Sequence, residues 1–122
     1  MITFKRLDHV QLCFAPGQLD NARKFYTEVI GLKQISRPEE FSGSQGVWFQ
    51  LADIQLHLGC EPYEGQSNRH PAFEVADLAA ARHHLEQNKV IIIDELQVPG
   101  QKRFSFIDPF NNRIELIEWE LK

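Results

Sequence analysis

Apolar and polar positions along this chain follow one pattern written twice. From Lys5 to Phe14 the residues alternate, with Val10, Leu12 and Phe14 on one side and Leu7, His9, Gln11 and Cys13 on the other, which predicts a strand. From Leu19 to Ile30 the period changes, and Ala22, Phe25, Tyr26, Val29 and Ile30 recur at helical spacing, with Asp20 near the start and Gly31 placed as a left-handed C-cap. A short strand over Leu32–Ser36, a polar loop over Pro38–Gly46, and a hairpin of Val47–Leu51 and Ile54–Gly59 around Ala52-Asp53 complete the first pass. After Glu61–Asn68, which holds Pro62, Gly65 and Ser67, the order begins again. His70–Val75 reads as a strand, Asp77 as an N-cap, and Leu78–Gln87 as a helix with Leu78, Ala81 and Leu85 on its apolar side. Strands over Val90–Ile93, Arg103–Ile107 and Ile114–Trp119 follow, separated by turns at Pro99-Gly100 and Asp108–Asn112.

The correspondence extends to single residues, since Leu19, Ala22 and Arg23 match Leu78, Ala81 and Arg82. Each half reads β-α-β-β-β, and four strands with one amphipathic helix leave one sheet face uncovered. The expected fold is therefore α+β: two tandem βαβββ modules forming a curved eight-stranded mixed sheet, with helices outside and a cleft inside. At 122 residues the chain is expected to be a single domain, with module one over about 1–60, a linker over about 61–68 and module two over about 69–122.

The apolar parity of each strand belongs under the helices, so the opposite parity faces the cleft. That places His9 and Gln11, Gln55 and His57, His70, Ala72 and Glu74, and Arg113 and Glu115 on the inner side. A polar inner face suits a functional concavity better than a core. The repeat relates His9 to His70 and His57 to Glu115. A strand histidine alone is most often a surface or hydrogen-bonded residue. Three histidines and one glutamate on the same face of four strands, related by an internal repeat, point instead to a first-row divalent metal. Trp48, Phe49 and Phe110 are candidate apolar walls. His83 and His84 fall on a helix away from this face and are expected to be exposed.

Bulk properties narrow the partners. The formal charge of −4 gives no basic surface for nucleic acid. No apolar run reaches the ~18 residues of a membrane span, and Met1–Arg6 has no apolar core of signal-peptide length, so a cytoplasmic location is the expectation. Cys13 and Cys60 are expected to be reduced, buried and inert rather than a disulfide.

Four segments carry a family likeness: Asp8-His9-Val10, Phe25-Tyr26-Thr27-Glu28-Val29-Ile30-Gly31-Leu32, His70-Pro71-Ala72-Phe73-Glu74-Val75 and Asp108-Pro109-Phe110-Asn111-Asn112-Arg113-Ile114-Glu115-Leu116. In this order and spacing the chain resembles the vicinal oxygen chelate superfamily, which includes glyoxalase I, fosfomycin-resistance thiol transferases, extradiol dioxygenases and bleomycin-binding proteins. The resemblance implies metal ligands on the first, fourth, fifth and eighth strands, which here are His9, His57, His70 and Glu115. His57 departs from the glyoxalase pattern, which has a carboxylate at that place. The metal implied is a divalent transition ion, Zn, Ni, Mn or Fe.

The leading expectation is a metal-dependent enzyme on a small oxygenated substrate, a glyoxalase-like lyase or isomerase. Glu115 would be its base and His57 either a fourth ligand or a second acid/base group. Gln11, Trp48, Gln55, Arg103 and Arg113 are candidates for the substrate cleft. Arg37, Arg69, Arg103 and Arg113 are the candidate clamps for a substrate carboxylate, against an ordinary surface role for each. One alternative uses His9, His70 and Glu115 as an iron triad in an extradiol-type dioxygenase, or as the ligands of an antibiotic thiol transferase. Another is a non-catalytic protein that sequesters a small molecule, for which the acidic balance would favour a cationic drug. The resemblance also implies a homodimer.

Overall fold

A computed structural model describes residues 1–62, 65 and 67–120. The chain divides into two compact units, Met1–Tyr63 and Glu64–Lys122. Positions 63, 64 and 66 of the expected linker lie outside the described residues.

The first unit runs β1 (His9–Phe14), α1 (Leu19–Lys24), a π turn (Phe25–Val29), β2 (Lys33–Ile35), a short 3-10 turn (Glu39–Phe41), β3 (Gly46–Leu51) and β4 (Ile54–Cys60). The second runs β5 (Ala72–Glu74), α2 (Leu78–Gln87), β6 (Ile91–Asp94), β7 (Gln101–Ile107) and β8 (Arg113–Trp119). All eight expected strands are present. They are hydrogen-bonded as two mixed four-stranded sheets, in the order β1-β4-β3-β2 and β5-β8-β7-β6. The first strand of each unit runs parallel to the last, and the remaining pairs are antiparallel.

Four elements, β1, α1, β2 and β5, are shorter than their sequence patterns, with His70 falling just before β5, and in the first two the local reason is visible. The alternation from Lys5 predicts a longer β1, but pairing starts at His9↔Gln55 because the partner strand begins just after the Ala52-Asp53 turn. The helical pattern to Ile30 holds, yet the α-helix gives way to a π turn at Phe25, closed by Ile30 N donating to Phe25 O at 3.0 Å. Thr27 Oγ1 donates to Arg23 O at 2.8 Å, a competing side-chain bond that loosens the helical ladder at this point. Gly31 then turns the chain at φ +87°, as its C-cap position requires. In α2 the Asp77 side chain accepts from Ala80 N at 3.0 Å, and Glu118 Oε1 on β8 accepts from Leu78 N at 2.7 Å, so two otherwise orphaned donors of the first turn are satisfied.

The strand parity read from the sequence sorts the core. In the first unit Phe14, Val47, Phe49, Leu56 and Leu58 are buried together with Ala22, Phe25 and Tyr26 of the helical segment. In the second, Phe104, Phe106 and Ile114 are buried with Leu78 and Leu85 of α2. Helix α1 packs on β3, and α2 on β6 and β8. His83 and His84 are exposed. The cysteines are free, but they are not both buried: Cys13 is half-buried and Cys60 is exposed. Cys60 has the core parity, yet it is the last residue of β4 and ends beyond the packed strand interior.

Candidate functional site

Each unit places one pair of candidate donors on the sheet face opposite its helix, and the two pairs are built alike. In the first unit Gln11 is paired with His57 and His9 with Gln55, so His9 lies on the diagonal from His57. In the second, Ala72 is paired with Glu115, and His70 precedes Ala72 by two residues. The diagonal across a sheet is within reach of large side chains. The rings of His9 and His57 stack at a centroid distance of 4.1 Å, and His70 Nε2 stands 3.0 Å from Glu115 Oε1.

His9 and His70 are oriented in the same way. His9 Nδ1 donates to Asp8 Oδ1 at 2.8 Å, and His70 Nδ1 donates to Asn68 O at 2.8 Å. In its neutral form each ring would then present the lone pair of Nε2. Metal-ligating histidines commonly have one ring nitrogen held by a carboxylate or backbone carbonyl in this way. The His9 bond holds the exposed Asp8 carboxyl below its ordinary range, opposed by partial desolvation and aided by the charges of His9 and Arg6.

His57 differs. Its Nε2 donates to Gln55 Oε1 at 2.8 Å, and its ring lies flat against Trp48, with centroids 3.8 Å apart and planes 2° apart. With His9 on its other face, only 5% of His57 is exposed. Burial pushes its pKa below the ordinary 6.5; the charges of His9 and Arg37 act in the same direction and Asp8 opposes them. Phe41 extends the row of rings, 5.6 Å from Trp48, with the Arg37 guanidinium 5.6 Å from its ring. Arg37 donates to Phe41 O, Ser44 O and Ser44 Oγ, each at 2.9 Å, and is thereby committed to the loop. Gln11 lies over Gly59, where an added Cβ would meet its Nε2 at 2.8 Å.

Glu115 is buried, with one oxygen facing His70 and the other 3.5 Å from Arg103 Nε. Its partner across β7 is Ser105, which is fully buried. Ser105 Oγ donates to Glu95 Oε2 at 2.6 Å, and Arg113 donates through one terminal nitrogen to both Glu95 oxygens, at 2.9 and 2.8 Å. The Ser105 and Arg113 bonds hold the Glu95 carboxyl below its ordinary range, against desolvation. Glu95 and Ser105 were not singled out by motif. The signal that finds Ser105 is its inward parity on the strand beside Glu115, whereas Glu95 becomes relevant only once β6 and β8 are known to flank β7.

Among the described residues, no three His, Cys, Asp or Glu side chains are gathered in one cluster able to hold a metal ion. The donors occur as the two pairs just described. The fit of the residues to a metal therefore rests on donor chemistry. In the neutral, Nδ1–H form of His70, the Nε2 lone pair faces a carboxylate oxygen at 3.0 Å, a contact that needs a shared proton or a cation. Two ligands about 2.1 Å from one ion and at right angles are about 3.0 Å apart. His70 and Glu115 fit on this basis, and His9 fits by its tautomer. His57, as placed, has its Nε2 bonded to Gln55 and both ring faces covered.

Residues 6–116 match the family model described as the Glyoxalase/Bleomycin resistance protein/Dioxygenase superfamily. A glyoxalase family protein from Bacillus anthracis is similar in structure, with a TM-score of 0.89 and 35% identity over 98% of this chain and 99% of that one. The fold is shared at lower identity with the fosfomycin resistance protein FosX from Listeria monocytogenes (TM-score 0.78, 17% identity, 98% and 97% of the two chains). It is shared likewise with lactoylglutathione lyase from Agrobacterium tumefaciens (TM-score 0.72, 21% identity, 93% and 92%). The uncharacterized protein YycE of Bacillus subtilis is 36% identical over 58 residues, 48% of this chain and only 42% of that relative's length. With the family model covering nearly all of both units and a full-length relative at this identity, the chain belongs to the Glyoxalase/Bleomycin resistance protein/Dioxygenase superfamily.

Proposed function

We propose that this chain is a divalent-metal-dependent enzyme acting on a small oxygenated substrate, with glyoxalase-like lyase or isomerase chemistry. The observation that carries this reading is the His70–Glu115 pair, in which a carbonyl-oriented imidazole faces a buried carboxylate at 3.0 Å. His70 and Glu115 are the residues of the second unit that would hold the ion, and His9 is the candidate ligand of the first. When bound, a divalent metal would act as a Lewis acid on neighbouring substrate oxygens and stabilise the negative charge that develops there. Asn68 and Asp8 fix the imidazole tautomers, so His70 and His9 spend no reorganisation in presenting Nε2. Glu115 is the group that takes a substrate proton, because it is the carboxylate of the pair and its burial excludes competing water. His57 is assigned to the wall of the site together with Trp48, and a homodimer is the proposed assembly.

The test is elemental analysis of protein purified without an affinity tag or added metal. About one equivalent of a transition metal per chain, lost in His70→Ala and in Glu115→Gln, is the expected result. The metal found also discriminates within the class: iron would favour the dioxygenase alternative, and zinc, nickel or manganese the lyase. Turnover of a hemithioacetal that depends on added metal would support the reaction type, and unchanged turnover in Glu115→Gln would remove the proposed base.

A second reading, a non-catalytic binding protein for a small molecule, is favoured by the row of Phe41, Trp48, His57 and His9, which offers stacked rings without requiring a metal. Absence of metal, and of metal uptake on titration, would leave this reading as the better account.

A further inference from the structure

Four arginines, Arg37, Arg69, Arg103 and Arg113, are available in the sequence to meet an anionic substrate, and the structure separates them by what already holds each guanidinium. Arg37 is spent on the 41–44 loop through three hydrogen bonds. Arg113 is spent on Glu95, whose two oxygens both accept from it. Arg69 is exposed, where an isolated charge is screened by water and salt. Arg113 also keeps a buried Nε without a partner, but its head is held at hydrogen-bond distance, whereas the Arg103 side chain makes no hydrogen bond to any described residue. Arg103 is 26% exposed, its Nε is buried 3.5 Å from Glu115 without forming a hydrogen bond, and its terminal nitrogens are neither buried nor bonded to any described residue. Its backbone is fixed by Gln97, which accepts from Arg103 N at 3.4 Å and donates to Arg103 O at 2.9 Å.

The internal repeat shows that this placement is particular to the second unit. Trp48 pairs with His57 and Ser105 with Glu115, so the position two residues earlier on each strand is Gly46 in one unit and Arg103 in the other. At Gly46 an added Cβ would meet Arg37 Nε at 2.9 Å, so the loop arginine occupies the space where β7 supplies its own side chain. The first unit closes this position with an arginine held by three hydrogen bonds, and the second leaves a guanidinium with no hydrogen bond to a described residue.

We infer that Arg103 is the anion anchor of this site, and that the substrate carries a carboxylate, phosphonate or phosphate group beside the oxygens that undergo chemistry. A planar guanidinium with two adjacent N–H donors matches two oxygens of such a group, and partial burial strengthens the contact. Glu95 contributes by holding Arg113 at hydrogen-bond distance, so Arg103, paired with Glu115 at 3.5 Å, is the guanidinium on this face whose terminal nitrogens are not bonded to a described residue. The inference rests on the proposed function for the role of the neighbouring Glu115, but it does not require the metal.

The test is binding of inorganic phosphate, methylphosphonate and acetate, with acetamide as the neutral control, followed by NMR titration of the whole protein with and without added zinc. Metal content is measured on the same samples. Wild type is expected to bind at least one anion and not acetamide. Arg103→Gln is expected to weaken that binding about 10- to 100-fold, Arg103→Lys to retain part of it, and Arg69→Gln to leave it unchanged. Preference for phosphate and methylphosphonate over acetate, or the reverse, identifies the source of the oxyanion. Equal affinities in wild type and Arg103→Gln, equal binding of acetamide and acetate, or no anion binding by wild type would each overturn the inference. If Arg103→Gln fails to fold by circular dichroism, Arg103→Lys decides by the same comparison, a loss of affinity supporting the anchor and an unchanged value overturning it. Arg103-dependent binding by a protein that takes up no metal would sustain this inference and sink the metal reading. One metal per chain with anion binding indifferent to Arg103 would do the reverse.

Discussion

Ser105 Oγ donates to Glu95 Oε2 at 2.6 Å, so the residue paired with Glu115 across the sheet is held from its other side by a second carboxylate. Two carboxylates and two guanidiniums thus alternate on one face of the second unit, Glu95 with Arg113 and Glu115 with Arg103. The former pair is joined by two hydrogen bonds from one Arg113 nitrogen, and the latter by a 3.5 Å ion pair without one.

Glu95 sets the acid limb of stability. Its pKa in the fold lies below the ordinary 4.5, so the native state binds fewer protons than the unfolded chain around that pH. The stabilisation is therefore fully present above the unfolded value and is lost as pH falls through the folded one. Glu95→Gln should cost about 1–3 kcal/mol at neutral pH and flatten the decline as pH falls below 4.5. Urea denaturation across that range measures this, and a profile parallel to wild type would refute it.

Trp48 should report the protonation of His57. The two rings are 3.8 Å apart and parallel, and a protonated imidazole in contact with an indole quenches its emission. In metal-free protein carrying Trp119→Phe, emission should fall with a midpoint below pH 6.5, because burial disfavours the charged ring. A midpoint at or above 6.5, or a titration that survives His57→Gln, would count against the stacked and buried placement.

Metal binding should stabilise the fold by mass action. Metal at 100 times its dissociation constant raises the unfolding free energy by about 2.7 kcal/mol. Thermal scans with added zinc, nickel or manganese should show the increase in wild type and lose most of it in His70→Ala and Glu115→Gln. His57→Gln should retain it, since the Nε2 of His57 is bonded to Gln55. Equal loss in all of these variants would instead place His57 among the ligands.

The two hairpin turns differ in how well their residues suit them. Ala52 adopts φ +50°, a left-handed conformation that costs an alanine about 1–2 kcal/mol. After the greater flexibility of the unfolded glycine chain is counted, Ala52→Gly should stabilise the protein by about 0.5–1 kcal/mol. The β7–β8 turn is already satisfied: the buried Asp108 accepts from Phe110 N at 2.9 Å, from Asn112 N at 2.8 Å and from Asn112 Nδ2 at 2.7 Å. Asp108→Ala should destabilise by about 2–4 kcal/mol through those lost bonds. Chemical denaturation of both variants measures the opposite signs.

By itself the sequence determined the repeat, the order of elements and the faces of the strands. Period-two and period-3.6 patterns are local properties, and they assigned Leu56 and Leu58 to the core and His57 to the opposite face before any contact was known. The same locality limited the reading of the site. Parity placed Gln55 and His57 on one side, but could not tell that Gln55 takes the His57 Nε2 or that Trp48 covers its ring. Nor did four equivalent arginine codes show which guanidinium would remain unspent. Glu95 is ten residues from Ser105 and eighteen from Arg113, and only the register of β6, β7 and β8 brings the three together. Hydrogen-bond partners at such separations are settled by tertiary packing, because each donor can be satisfied only once and the fold decides which acceptor it meets.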